Sequence, residues 1–347
     1  MKRLLTVIES GLNRLFSISE LEATFRKRGF QEAEKGAQQR LENIGVAFIR
    51  GYNLGLTSKS VVDLCRVLDQ IGHEQRGFSY EGASMSLALT DSIWYPRTAR
   101  WRELLEGGGS RHKYMVYVGV GWALARLPWM RRCPSSVLSM HECLEKWLIL
   151  DGYGFHEGYF RPFRTISKAQ APRSLGAAEV KIFDQGVGRS IWFVCGADVH
   201  RAALAIRGFD EARRADLWSG VGLAATYAGG VARNGLINLR RLAAGYEEHL
   251  AQGSAFAAKA RLFAKSDVST TDTATEVLCG CPSRDAAGVT EKALETIASG
   301  GTSHDTYEKW RTEIRSVFRS SFAREALLES GWHYAVIGGS RRIGEFA

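Results

Sequence analysis

The residues best suited to chemistry are concentrated in one short segment, Leu150-Asp-Gly-Tyr-Gly-Phe-His-Glu-Gly-Tyr-Phe160. His156 is of a type that titrates near neutrality, and Glu157 beside it becomes a general base if it is buried. Adjacent residues on a helix point about 100° apart, so the two side chains need not touch. A zinc site of the H-E-x-x-H kind needs a second histidine at position 160, which is Phe, and His141-Glu142-Cys143 does no better. No metal is therefore expected.

Three further acids stand in polar–aromatic settings. Glu81 follows Tyr80 and precedes Gly82. Asp184 opens Asp184-Gln185-Gly186-Val187-Gly188-Arg189, which has a G-x-G but no third glycine at dinucleotide-binding spacing and no clear strand before it. Asp184 and Arg189 read instead as a buried charged pair or an anion-binding feature. Arg213, Arg214 and Asp216 precede a nearly uncharged stretch and would close a hydrophobic pocket with charged groups. No phosphate-binding loop, nucleophile elbow, Cys–His signature or kinase motif is present.

What remains is acid–base or cation-stabilising chemistry without a cofactor, in an apolar pocket walled by Tyr80, Tyr114, Trp122, Tyr153, Trp192, Trp218 and Tyr227. The candidate catalytic groups are Glu81, Asp151, His156, Glu157, Asp184 and Asp216. Arg189 and Arg214 would anchor an anionic head, and Gln185 and Gln252 complete the polar lining.

The elements that position these groups read as helices. Thr57-Ser58 would cap a helix through Val61–Ile71. Apolar residues then recur at three-to-four spacing over 80–93, 111–127, 137–151, 176–194, 197–207, 211–229, 236–262, 272–280, 285–298 and 303–329. Strand-like runs are few; Val46–Ile49 and Ile191–Val194 are the best, and either fits a buried helix. The tail from Gly331 is expected to be poorly ordered.

The chain also matches itself. Gly119-Val-Gly-Trp-Ala123 pairs with Gly220-Val-Gly-Leu-Ala224, and Asp151-Gly-Tyr-Gly-Phe155 with Gln252-Gly-Ser-Ala-Phe256, at one shared offset of 101 residues. Glu81-Gly82 pairs with Gln185-Gly186 at 104. The expected architecture is therefore mainly α, with two tandem glycine-rich helical repeats of about 100 residues packed as a pseudo-twofold pair. The halves are 55–167 and 168–270, flanked by an N-terminal helical cap (1–54), C-terminal helices (271–330) and a tail (331–347). Where the first half has an acid (Glu81, Asp151) the second has an amide (Gln185, Gln252), which can fill the same hydrogen-bonded slot without titrating.

Composition agrees. Of 347 residues 37 are Gly and only 6 Pro, against roughly 17 prolines for an average chain. Glycine excess without proline, at 45% hydrophobic residues, excludes low-complexity and collagen-like chains. Glycine inside a helix loses about 1 kcal/mol against alanine, so its recurrence implies backbones in close approach. The net charge of +9 is spread thinly, without a basic run interleaved with aromatics, so no nucleic-acid partner is expected. A substrate with a carboxylate or phosphate, or an acidic carrier protein, fits such a field. Six cysteines form no disulfide-scaffold pattern. Met1-Lys-Arg-Leu-Leu5 reaches Glu9 too early for a secretory signal. The longest charge-free stretch, 217–232, is shorter than the ~20 residues of a spanning helix. A cytoplasmic protein that does not span a membrane is expected.

Six ordered segments carry a family resemblance: Gly77–Asp91 (GFSYEGASMSLALTD), Val118–Pro128 (VGVGWALARLP), Leu150–Phe160, Phe183–Val194 (FDQGVGRSIWFV), Arg213–Leu223 (RRADLWSGVGL) and Leu250–Ala260 (LAQGSAFAAKA). Across about residues 20–315 the chain resembles a bacterial domain-of-unknown-function family encoded in enediyne polyketide gene clusters. The resemblance implies secondary metabolism and antibiotic biosynthesis, the maturation of a polyketide polyene, and other biosynthetic enzymes of such a cluster as partners. It transfers no catalytic residues. The leading expectation is cofactor-independent cyclisation or isomerisation of a hydrophobic polyene. The alternatives are a terpenoid-type cyclase acting on an isoprenoid, which lacks a D-D-x-x-D motif, and a non-catalytic polyene-binding or scaffold protein.

Overall fold

Seven long helices follow one another along the chain, each packed on the next: α1 (Lys35–Thr57), α2 (His73–Ile93), α3 (Lys113–Arg126), α4 (Leu148–Phe160), α5 (Ala177–Val194), α6 (Glu211–Tyr227) and α7 (Glu247–Phe263). Two more, α8 (Ser283–Thr296) and α9 (His304–Gly338), pack on α7. The structure is a computed structural model describing residues 16–93, 99–139, 142–266, 269–297 and 301–338, with side chains as far as 324. Every regular element among the described residues is helical. The Met1–Glu9 segment and His141 lie outside them.

The glycines fix how these helices meet. A Cβ on Gly82 would lie 2.0 Å from the carbonyl oxygen of Phe48 in α1, and one on Gly119 would lie 2.2 Å from that of Glu81 in α2. The contact recurs for Gly152 on Val118 (2.0 Å), Gly186 on Asp151 (1.8 Å), Gly220 on Gln185 (1.9 Å) and Gly253 on Ser219 (1.8 Å). From Gly119 onward, each glycine presses on the carbonyl of the residue just before the matching glycine of the preceding helix. A second set faces forward: Gly121 on Ile149, Gly154 on Phe183, Gly188 on Leu217 and Gly222 on Leu250. No side chain fits at these crossings, so backbone meets backbone, and dense packing offsets the lost helix propensity.

The end of the series returns to its beginning. Arg261 of α7, fully buried, donates to the Glu74 carbonyl of α2 at 2.9 Å and to the Tyr227 carbonyl of α6 at 2.6 Å. One continuous apolar core runs from Phe25 to Phe318.

Several boundaries differ from those the periodicity suggests. The 61–68 helix is capped by Ser60, whose Oγ accepts from the Asp63 amide, while Thr57 ends α1. The 236–262 stretch is two helices, Arg233–Leu242 and α7, because Gly245 takes φ +85 and turns the chain. The 137–151 stretch breaks into short pieces, and α4 runs on through Gly152, Gly154 and Gly158, which are contact points rather than helix ends. Val46–Ile49 and Ile191–Val194 are helical. The last helix continues through Gly331 to Gly338; 339–347 lie outside the described residues.

Candidate functional site

The crossing geometry gives one residue per helix the same place: the residue just before the backward-facing glycine. From α2 to α7 these are Glu81, Val118, Asp151, Gln185, Ser219 and Gln252, and all six are buried. Buried polar groups must be paired, and four of the five are paired with one another. Gln185 Nε2 donates to Asp151 Oδ2 at 2.8 Å, Ser219 Oγ donates to Gln185 Oε1 at 3.2 Å, and Gln252 Nε2 approaches the same oxygen at 3.4 Å. Arg315 of α9 donates to Gln252 Oε1 at 3.2 Å, and Arg189 forms an ion pair with Asp151.

Glu81 is the exception. Its neighbours in this register are Phe48 and Val118, neither of which can bond to it. Trp122, one turn beyond Val118, donates its indole N–H to Glu81 Oε1 at 2.9 Å. Oε2 is buried and has no hydrogen-bond partner among the described residues. Burial pushes the Glu81 carboxyl up to about 7; the Arg189 guanidinium opposes this, and the Asp151 carboxylate adds to it. The side chain borders a cleft whose other walls include Ile44, Phe48, Phe78, Met85, Trp122, Phe155, Phe160 and Phe193. About 50 Å³ of this cleft admits the centre of a water-sized sphere, and Ile18, Glu22 and Ala23 of the N-terminal segment complete its wall.

A second cleft of similar size lies beside the Asp151–Arg189 pair. Tyr114, Met115, Val118, Tyr227, Phe256, Lys259, Tyr307 and Trp310 are among its walls. The hydroxyls of Tyr227 and Tyr307 are buried and donate to no acceptor among the described residues, and the Gln185 amide beside Tyr307 partly opposes the rise that burial causes there. Burial raises both phenols above their usual range, so both remain donors.

The remaining expected acids are separate from Glu81. His156 and Glu157 do touch, Nδ1 to Oε1 at 3.2 Å, and Glu157 also accepts from Arg161, whose Nη1 lies 2.8 Å from its Oε2. Burial lowers the His156 pKa, which leaves the ring neutral. Burial alone would raise Glu157, but His156 and Arg161 outweigh it and hold the carboxyl below its usual range. Asp184 is bridged by two Arg213 nitrogens at 2.7 and 2.5 Å, yet burial still pushes it up to about 6. Asp216 pairs with the fully buried Arg311 at 2.5 Å. Glu81 and Asp151 influence one another, but the six candidate groups, five acids and His156, do not converge on one centre.

The expected walls divide as well. Trp122 borders the Glu81 cleft, while Tyr114 and Tyr227 border the second. Tyr80 donates to Asp69 at 2.9 Å and stacks on His112; Trp192 donates to the Gly229 carbonyl at 2.8 Å. Tyr153 packs edge-on against Phe183 and borders an outer cleft with Arg131, Arg132, Arg164 and Arg173. Trp218 is buried in the core. Arg189 is committed to Asp151, and Arg214 donates to the carbonyls of Phe209 and Arg207.

Tyr307, Arg311 and Arg315 of α9 were not among the expected site residues. In sequence their helix carries alternating charge and looks solvated, yet Arg311 is fully buried. The available signal was the stripe Tyr307, Trp310, Ile314 and Phe318, onto which Arg311 falls one turn after Tyr307. Among the described residues no group of three or more His, Cys, Asp or Glu is placed to hold a metal, and no helix is long and apolar enough to cross a membrane.

With this geometry in hand, comparison with known proteins gives one match. A family model described as a protein of unknown function, DUF1702, covers residues 8–318. No curated protein and no solved structure matches the chain.

Proposed function

The chain belongs to the DUF1702 family, and we propose that it moves a proton on a long hydrophobic polyene, isomerising or cyclising it without a cofactor. One observation carries this reading: Glu81, a buried carboxyl pushed up to about 7 with one oxygen unpartnered among the described residues, borders an aromatic cleft. A group of that strength suits removal and return of a proton next to a conjugated carbonyl better than protonation of an isolated alkene. The carboxylate form of Glu81 takes a proton from carbon, the C–H pair becomes a new C=C, and the extended enolate forms. The carboxylic acid then returns the proton to a different carbon, and Glu81 is regenerated. The aromatic walls exclude water from the reacting chain.

The tandem pair belongs to the same reading. Helices α2, α3 and α4 would form one half and α5, α6 and α7 the other, each contributing three register positions. The first half holds the acids Glu81 and Asp151, while the second holds Gln185 and Gln252. On this view the first half kept the proton chemistry and the second supplies the amides that orient Asp151. The resemblance to enediyne-cluster proteins makes a polyketide polyene the first substrate to try and an isoprenoid the second. The protein would act in the cytoplasm, beside enzymes that make and consume the polyene.

A second reading, a non-catalytic protein that shelters a polyene or docks it to a synthase, is favoured by the small free volume of the clefts. Ile18, Glu22 and Ala23 wall the first cleft, and Ala23 packs on α1 so closely that a Cβ on Gly45 would lie 2.8 Å from the Ala23 Cβ. The test is incubation in heavy water with conjugated polyene esters and isoprenoids, followed by mass analysis. Proton transfer predicts deuterium uptake or a shifted absorption spectrum, rising through pH near 7 and lost in Glu81→Gln. Binding without uptake in the wild type sustains the sheltering reading instead.

A further inference from the structure

The second cleft has polar groups that the proton-transfer reading leaves unused. Tyr227 and Tyr307, from α6 and α9, both border it, and each keeps a buried hydroxyl that donates to no acceptor among the described residues. A buried hydroxyl with no acceptor is unfavourable, and here the two residues that carry such hydroxyls border one apolar cleft. Tyr227 also has a fixed relation to Glu81. Its hydroxyl packs against Gly77 so closely that a Cβ there would lie 2.2 Å from the oxygen. Gly77 precedes Glu81 by four residues on α2, and residues four apart share a helix face. The phenol hydroxyl therefore meets α2 one turn from the acid.

Charge in this cleft is already balanced. Arg189 is taken up by Asp151, and Lys259 by Glu291 at 3.0 Å. Among the described residues that line the cleft an anionic head would find no free cation, whereas an uncharged oxygen with two lone pairs would find two hydroxyl donors.

We propose that Tyr227 and Tyr307 form a subsite for the neutral carbonyl oxygen of the substrate, an ester, thioester, aldehyde or ketone conjugated to the polyene. The inference rests on the proton-transfer reading for its substrate class and adds the head group. With the carbonyl held there, the phenols donate to its oxygen, and the same donors stabilise the enolate when Glu81 removes a proton from the chain. Both phenols remain protonated throughout, so the step needs no co-reactant beyond the substrate.

Fluorescence titration with the methyl ester of a conjugated tetraene fatty acid tests the subsite, with the free acid in parallel at mildly alkaline pH. The ester is expected to bind roughly tenfold or more tightly than the ionised acid. Tyr227→Phe and Tyr307→Phe are each expected to weaken the ester about three- to tenfold. Circular dichroism and melting establish that each variant is folded, and the ester-to-acid ratio of the wild type stands independently of either variant. Tighter binding of the acid, failure of the ester to bind, or ester affinity unchanged in both folded variants overturns the subsite. Deuterium uptake reads Glu81 separately. Uptake that needs Glu81, with affinity indifferent to both tyrosines, sinks the subsite and leaves proton transfer standing. Affinity that depends on the tyrosines, without uptake, does the reverse.

Discussion

Trp122 donates its indole N–H to one oxygen of Glu81 at 2.9 Å, and the other oxygen is buried with no partner among the described residues. Trp122 has one donor and no acceptor, so it satisfies one oxygen and makes no further demand. A half-satisfied buried carboxylate is costly, and protonation relieves the cost. Burial with one oxygen unpaired is why the Glu81 carboxyl is pushed up to about 7. In the equivalent position Asp151 has Gln185 and Arg189 as partners.

The pH dependence of stability follows with a definite sign. The folded chain binds Glu81's proton up to about 7, while the unfolded chain releases it near the ordinary glutamate value of 4.5. Stability from this group is therefore full below about 4.5 and is lost as pH rises through 7. Two to three pKa units correspond to about 3 kcal/mol. Urea melts of wild type and Glu81→Gln near pH 5 and pH 8 should show the wild type losing stability on that order relative to the variant. Parallel curves would contradict it.

On the acid side the sign reverses. Burial, assisted by Arg76, pushes His112 down to about 4 from 6.5. The unfolded chain then binds the proton first, so stability is full above 6.5 and falls as pH drops toward 4. His112→Phe should flatten the curve between those values; an unchanged acid limb argues against a neutral His112.

Two glycines on helices should respond in opposite directions to alanine. At Gly186 the new methyl would stand 1.8 Å from the Asp151 carbonyl, and backbone must move; a loss of about 3 kcal/mol or more is expected. At Gly288 of α8 nothing lies within 4 Å, and alanine should add about 0.5–1 kcal/mol. Chemical denaturation of both variants decides the point.

The Asp151–Arg189 pair should be unforgiving of half-removal. Asp151→Leu leaves a buried guanidinium facing apolar walls and should lose about 3–5 kcal/mol. Asp151→Leu with Arg189→Leu should lose less than the single variant. A double-mutant cycle with no coupling would show that the pair is not what holds this centre.

Much of this was legible in the sequence. Periodicity and the lack of proline gave the helices, and the 101-residue offset placed Asp151 and Gln252 in one register before any contact was known. The offset spans three helix steps; the single step was hidden because only the glycine recurs at 119, 152, 186, 220 and 253, while the residue before it runs Val, Asp, Gln, Ser, Gln. The separation of Glu81 from the other acids was not legible either. It depends on Val118 and Phe48 standing beside it, and on Trp122 arriving from a different helix. Arg311 was missed because a buried arginine and a solvated one look alike until Asp216 is found against it.

The most direct test of the Glu81 assignment is an infrared titration in heavy water, with Glu81→Gln subtracted in an Asp184→Asn background, since Asp184 also titrates high, at about 6. The account predicts a protonated carboxyl band belonging to Glu81 that disappears with a midpoint near pH 7. A Glu81 that is already ionised at pH 5, with no such band in the difference spectrum, would contradict it.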